Sequence, residues 1–266
     1  MKNSIGLDNG QMTEKAKKTW IAIAKGGAQI LAALGFLLLV WWIAYSTIKN
    51  ELIIPKISDC IKEMVDLLGK SWFWKYFFAT VGRVLIAFVI SFVFALIFAI
   101  IAYMVPSFGG FFAPIVTALR SLPTLAVTLA LLALFKAGGT PIAVAFLALF
   151  PMLYTGILAA LSGIDKELLD IGRVYCTSAK SKIFRVYLPL SAPYILRESA
   201  AALSFSLKLV VSAEVVASTA RSLGGLMEDA QGYDLPRLFA LVIVTFIVGL
   251  ILELLVGAFM TKVDKA

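Results

Sequence analysis

Four charged side chains sit inside otherwise apolar sequence: Arg120, Lys208, Glu214 and Glu253. An ionised group in hydrocarbon is costly, so it is retained where it meets a polar solute, a counter-charge or a backbone partner. Counted from Tyr194 along a helix, Lys208 lies ~21 Å in and Glu214 ~30 Å in, while Glu253 falls ~13 Å from the far end of the last apolar run. Two chemistries fit. In one, Lys208 pairs with an acid and Glu214 binds backbone or Arg221. In the other, Arg120, Lys208 and Glu214 line a path that favours an anionic or polar solute. The chain has no His, which removes imidazole metal sites, bases and proton relays. Its two cysteines, Cys60 and Cys176, form neither a metal cluster nor an expected disulfide. No Gly-x-x-x-x-Gly-Lys-Ser/Thr phosphate loop occurs, so the chain is not expected to bind ATP in that mode.

A second patterned stretch is ELLDIGRVYCTSAKSKIFRVYLPLSAP, residues 167–193, rich in charge between greasy neighbours. Asp165 is a plausible helix cap, and Glu167 suits the positive end of the helix dipole. Leu168, Ile171, Gly172, Tyr175 and Ala179 then fall on one face at helical spacing, with Asp170, Arg173 and Lys180 off it. Such a short amphipathic helix must bury its stripe on lipid, on its own protein or in a partner's groove. Pro189 and Pro193 are expected to stop helix formation before the next apolar run.

The elements that must position these residues follow from composition. Of 266 residues, 61% are hydrophobic, and the mean hydropathy is +0.95. A soluble domain holds about 45–50% apolar residues, so this is an integral membrane protein. The runs are continuous rather than alternating, which favours helices over a barrel. Six spans are expected near 27–48, 84–105, 113–135, 139–161, 195–217 and 237–260. Pro114, Arg120 and Pro123 predict a kink in the third. The 1–26 stretch and 261–266 read as cytoplasmic tails, and the first apolar run reads as a retained signal anchor. Most Lys and Arg, including Lys15, Lys17, Lys18, Lys180, Lys182 and Arg185, then lie inside, with both termini and the 162–194 loop. The net charge of +8 therefore reads as orientation, not nucleic-acid binding. Outside, Ile57, Ile61, Met64, Val65 and Leu68 predict a helix on the membrane surface or on the span ends, followed by an aromatic belt at Trp72, Trp74 and Tyr76. That helix either anchors the loop or docks an external partner. The small residues of the fifth span, such as Ser199, Ala202, Ser206 and Ala213, permit close packing or line a polar conduit.

With those residues in view, the 162–194 loop resembles the mark of ABC-type importer membrane subunits. The family pattern is Glu-Ala-Ala, three residues, Gly, nine residues, Ile, one residue, Leu-Pro. Aligned on Leu188-Pro189, the acid is Asp170, the small positions are Ile171 and Gly172, the Gly position is Cys176, and the Ile position is Val186. The spacing is kept; the acid is shortened, one Ala is enlarged and the Gly is lost. FFATVGRVLIAFVISFVFAL (77–96, with Arg83), ALRSLPTLA (118–126) and KLVVSAEVVASTARSLGGLMEDAQG (208–232) resemble the nitrate/sulfonate/taurine/bicarbonate-like subfamily. The resemblance covers about 52–260.

The resemblance implies an all-α, six-span, type I importer-like permease in the bacterial cytoplasmic (inner) membrane. It implies a homodimer of this chain, two separate ATPase subunits beneath it that bind the ATP and Mg, and an external substrate-binding protein. Leu168, Asp170, Ile171, Gly172, Tyr175, Cys176, Leu188 and Pro189 would form the ATPase-coupling segment, whose helix stands between the fourth and fifth spans. The chain itself is expected to hold no cofactor or metal and to be no enzyme. A stand-alone secondary transporter is the rival reading; such proteins often carry two similar halves, and no internal repeat is evident here.

Overall fold

The computed structural model describes residues 32, 35–50, 53–165 and 178–263. Among them every regular element is helical. Contacts divide the chain into two units, Met1–Asp59 and Cys60–Ala266. In the first, α1 (Gly35–Ile48) is followed by a turn in which the Trp41 indole N–H donates to the Pro55 carbonyl at 3.2 Å.

The remaining chain is a bundle. α2 (Ile57–Leu68) has Cys60 and Leu67 buried and Met64 half-buried, while Ile61, Val65 and Leu68 stay exposed. The apolar face is therefore wider than one contact needs, and part of it is left over for lipid or a partner. α3 (Ser71–Met104) has 34 residues. At 1.5 Å per residue it runs ~51 Å, well beyond the ~30 Å hydrocarbon layer. Its first turns carry Trp72, Phe73, Trp74 and Tyr76, the aromatics of an interface. Further along, Thr80, Val84, Ala87, Ser91, Ala95, Ala99 and Ala102 are all buried at three- and four-residue intervals. Small side chains on that stripe let the helices over Thr124–Ser162 and Leu188–Val216 approach closely.

Val105 is extended (φ −123°, ψ 89°), as a residue before proline must be, and Pro106 opens α4 (Pro106–Arg120) at its first position. Pro123 (φ −68°, ψ 118°) ends the gap and opens α5 (Thr124–Ser162). The expected kink is thus a break over 121–123. α5 is itself interrupted: Lys136 has φ 55° and ψ 175°, which no helix tolerates. Val127 and Val144 line the same small cavity as Leu119 and Leu147. In a straight helix they would stand ~26 Å apart, so the chain doubles back at Lys136. Phe150 and Tyr154 then meet Phe112 and Phe98 of the neighbouring helices, with Phe112–Tyr154 centroids 5.4 Å apart.

α6 (Ala179–Lys182) runs into a π-helical turn, Ile183–Tyr187, and then into α7 (Leu188–Val216). This corrects the expectation that Pro189 and Pro193 halt the helix. Pro189 occupies the first turn of α7, and the preceding π turn removes the need for its missing N–H. Pro193 is carried inside the helix. α8 (Leu223–Gln231) packs on α7 just past its C-terminal end, and α9 (Leu235–Val263) returns beside it. Asp234 caps α9 by accepting from the Arg237 backbone N–H at 3.1 Å. Among the described residues, four helical segments are long and apolar enough to cross a membrane: Ser71–Met104, Thr124–Ser162, Ile183–Val216 and Leu235–Ala258; Gly35–Ile48 is apolar but shorter.

Candidate functional site

α7 has two unlike faces. Ser191, Ile195, Ser199, Ala202, Ser206, Val210 and Ala213 are buried against the bundle. Tyr194, Arg197, Ala201, Phe205, Lys208 and Ser212 recur at the same helical spacing on the opposite side and are exposed. Lys208 is thus on the outward stripe, about eight residues or ~12 Å from the C-terminal end of the helix. It makes no hydrogen bond or ion pair with any described residue. The same holds for Glu253, which faces Lys208 across a cavity of about 330 Å³ between α7, α8 and α9. Ser212, Met227, Thr245 and Phe246 also line it. Leu207 and Gly249 stand level there, since a Cβ on Gly249 would lie 3.8 Å from the Leu207 side chain.

Glu214 is placed differently, fully buried at 0% exposure. Its Oε1 accepts from Arg83 Nη1 at 2.9 Å. Its Oε2 accepts from Thr80 Oγ1 at 2.9 Å and from the Gly224 backbone N–H at 3.1 Å. Thr80 Oγ1 in turn accepts from the Leu223 N–H at 2.9 Å. The expected partnership with backbone is present, but the cation is Arg83, not Arg221. Arg221 is exposed in the turn, with φ 53°. Thr80 and Arg83 lie one turn apart on α3, so both reach one carboxylate. That spacing was visible in the sequence, although nothing local connects it to Glu214.

The turn that Glu214 holds is costly by itself. Ser218 and Arg221 both have positive φ, an uncommon state for residues with side chains. Thr219 Oγ1 donates to the Ala137 carbonyl at 2.8 Å, just past the Lys136 reversal. Ser222 caps α8: its Oγ accepts from the Gly225 N–H at 2.8 Å and donates to the Thr219 carbonyl at 2.6 Å. Gly224 leaves no room for a side chain, because a Cβ would sit 2.3 Å from Glu214 Cβ and 2.7 Å from the Val211 carbonyl oxygen. α3, α5, α7 and α8 are therefore locked together at the C-terminal end of α7.

Arg120 stands apart from this group. It is exposed in the last turn of α4, where a cation suits the helix dipole. Of the coupling residues, Leu168, Asp170, Ile171, Gly172, Tyr175 and Cys176 lie outside the described residues. Leu188 is half-buried against the core and Pro189 is exposed. Beside them Tyr187 packs edge-on to Tyr103 at 5.4 Å, and Phe184, which sequence reasoning did not single out, is 61% exposed.

A helical bundle with four segments long and apolar enough to cross a membrane, and with Lys208 unpaired on the exposed stripe of one of them, belongs to the class of membrane transport proteins. Residues 107–265 match the family of binding-protein-dependent transport system inner membrane components. That is more than half of the chain, so it belongs to this family, the permease subunits of ABC importers. The chain is 29% identical over 220 residues to a probable ABC transporter permease protein of Brucella melitensis, covering 82% of this chain and 88% of the relative. It is 24% identical over 207 residues to the taurine transport system permease protein of Escherichia coli, covering 75% of each. Its fold is similar to that in a crystal structure of an amino acid ABC transporter, with a TM-score of 0.61 at 15% identity, over 72% of this chain and 94% of that one.

Proposed function

We propose that two copies of this permease enclose the translocation path, with the outward stripe of α7 as its wall, and that the path carries a small polar or anionic solute. The observation that carries this is Lys208: an unpaired cation on the exposed face of a spanning helix must meet water or a solute, because lipid does not solvate it. A sulfonate falls within that class, and one relative is named for taurine. In this reading the chain crosses the membrane six times, with α4 and the first half of α5 forming the broken third span and the rest of α5 the fourth. Both termini lie in the cytoplasm of a bacterium.

Energy comes from two separate ATPase subunits that bind ATP and Mg. They hold the 162–194 segment through Leu168, Asp170, Ile171, Gly172, Tyr175 and Cys176, with Leu188 and Pro189 at its junction with α7. An external binding protein delivers the solute.

Two experiments test this. Lys208→Met should abolish uptake in reconstituted vesicles while the permease still co-purifies with its ATPase; undiminished uptake would remove Lys208 from the path. Leu168→Asp and Asp170→Lys should each abolish ATPase co-purification while the permease still inserts. Unchanged co-purification in both variants would reject the coupling assignment.

A further inference from the structure

The outward stripe explains why Lys208 is present, but not why an acid shares its cavity. Glu253 lies on α9, Lys208 on α7, and both line the same space of about 330 Å³. No ion pair within 4.0 Å joins them, and no described residue neutralises either one. With Leu207 level with Gly249, Lys208 is one residue above that level and Glu253 four residues below. Their backbones are therefore offset by ~7–8 Å along the helix axes. Two opposite, unsatisfied charges at different depths of one cavity are costly in a spanning region unless a guest completes them. Between the two charges the walls are apolar at Leu207 and Leu250, while Phe246, Met227 and the hydroxyls of Ser212 and Thr245 line the part of the cavity beyond Lys208. The volume is at the lower end of small-molecule sites, which run from ~300 Å³ upward.

We infer that this cavity is a binding site for a small zwitterion, its anionic head on Lys208 and Ser212 and its ammonium group on Glu253. The inference rests on the reading of the α7 stripe as path wall, and it deepens that reading by assigning the second charge of the solute. A simple anion satisfies Lys208 and leaves Glu253 repelling it. A simple cation does the reverse. A divalent metal finds one carboxylate where it needs several oxygen ligands.

The test uses the complete importer in nanodiscs of phosphatidylglycerol alone, so that no zwitterionic headgroup is present, and without the binding protein. Equilibrium binding is measured for 2-aminoethanesulfonate and β-alanine and for their matched anions, ethanesulfonate and propionate. At least one zwitterion should bind the wild type tenfold or more tighter than its matched anion. Glu253→Gln should erase that preference while Lys208→Met weakens zwitterion and anion together. Ser212→Ala, a milder change, should weaken the anionic contact several-fold if the larger variants do not assemble.

Equal binding of zwitterion and anion by the wild type would overturn the inference. So would restored assembly without any preference for the zwitterion in the exchange Lys208→Glu with Glu253→Lys, after each single variant fails to assemble, because the two would then be a structural pair. The underlying path reading fails separately, on uptake that survives Lys208→Met.

Discussion

Truncating Glu214 is the sharpest perturbation of the junction at the C-terminal end of α7. Glu214→Ala removes the acceptor for Arg83 Nη1, Thr80 Oγ1 and the Gly224 N–H in one step. Losing one partner of a buried ion pair costs about 3–5 kcal/mol. Arg83 keeps 18% of its side chain exposed and recovers some hydration, which argues for about 3 kcal/mol from that loss. The orphaned Gly224 N–H, buried under α7, contributes about 1 kcal/mol or more. A total of about 4 kcal/mol lowers the melting temperature by about 8–16 °C in a chain of this size. Tryptophan fluorescence on heating, with the purified protein in detergent, reads this directly. Arg83→Ala should also destabilise, because it strands a carboxylate at 0% exposure. The double variant should then be less harmful than the two losses combined, with a coupling of about 1–3 kcal/mol. Additivity within about 0.5 kcal/mol, or a Glu214→Ala melting point within 2 °C of wild type, would refute the argument that the pair locks α7 to α3.

Two further substitutions probe the same junction. Gly224→Ala drives a Cβ into the backbone of α7, where neither the Val211 carbonyl nor the Val215 N–H can step aside. It should destabilise by about 3 kcal/mol, while Gly232→Ala, which meets open space, serves as the silent control in the same melting assay. Ser222→Ala removes the cap of α8 and should cost about 1 kcal/mol, with Ser222→Asp recovering most of it.

What was legible in the sequence was what short range decides. Continuous apolar runs give spanning helices, and Pro123 marks the break in the third of them, because proline restricts its predecessor; the start of α4 at Pro106, seven residues before the expected span, was not read. The depth of Lys208 and its unlikeness to its neighbours were equally plain. Three features were not legible, each for its own reason. The Arg83 partner of Glu214 stands 131 positions away, so only packing of α3 against α7 brings them together. Pro189 and Pro193 read as stops because their cost depends on the turn before them, and the π turn at Ile183–Tyr187 changes that cost. Glu253 was seen as an intramembrane charge but not as the opposite wall of the Lys208 cavity. That relation depends on Leu207 and Gly249 being level, which no periodicity records.

The contrast between the two ends of α7 has a mechanical consequence. At the C-terminal end, the Glu214 carboxylate, the Ser222 cap and the Thr219–Ala137 hydrogen bond make a clamp that shares α7 with three other helices. At the N-terminal end, the helix begins with a wide π turn, in which the Leu188 N–H reaches back to Ile183, and two prolines supply no donors. A rod fixed at one end and compliant at the other does not slide when pushed; it swings. Any displacement delivered near Leu188 is therefore expressed as tilt, large in the N-terminal half of α7 and vanishing toward the Glu214 fulcrum. Lys208, less than two turns short of that fulcrum, moves least.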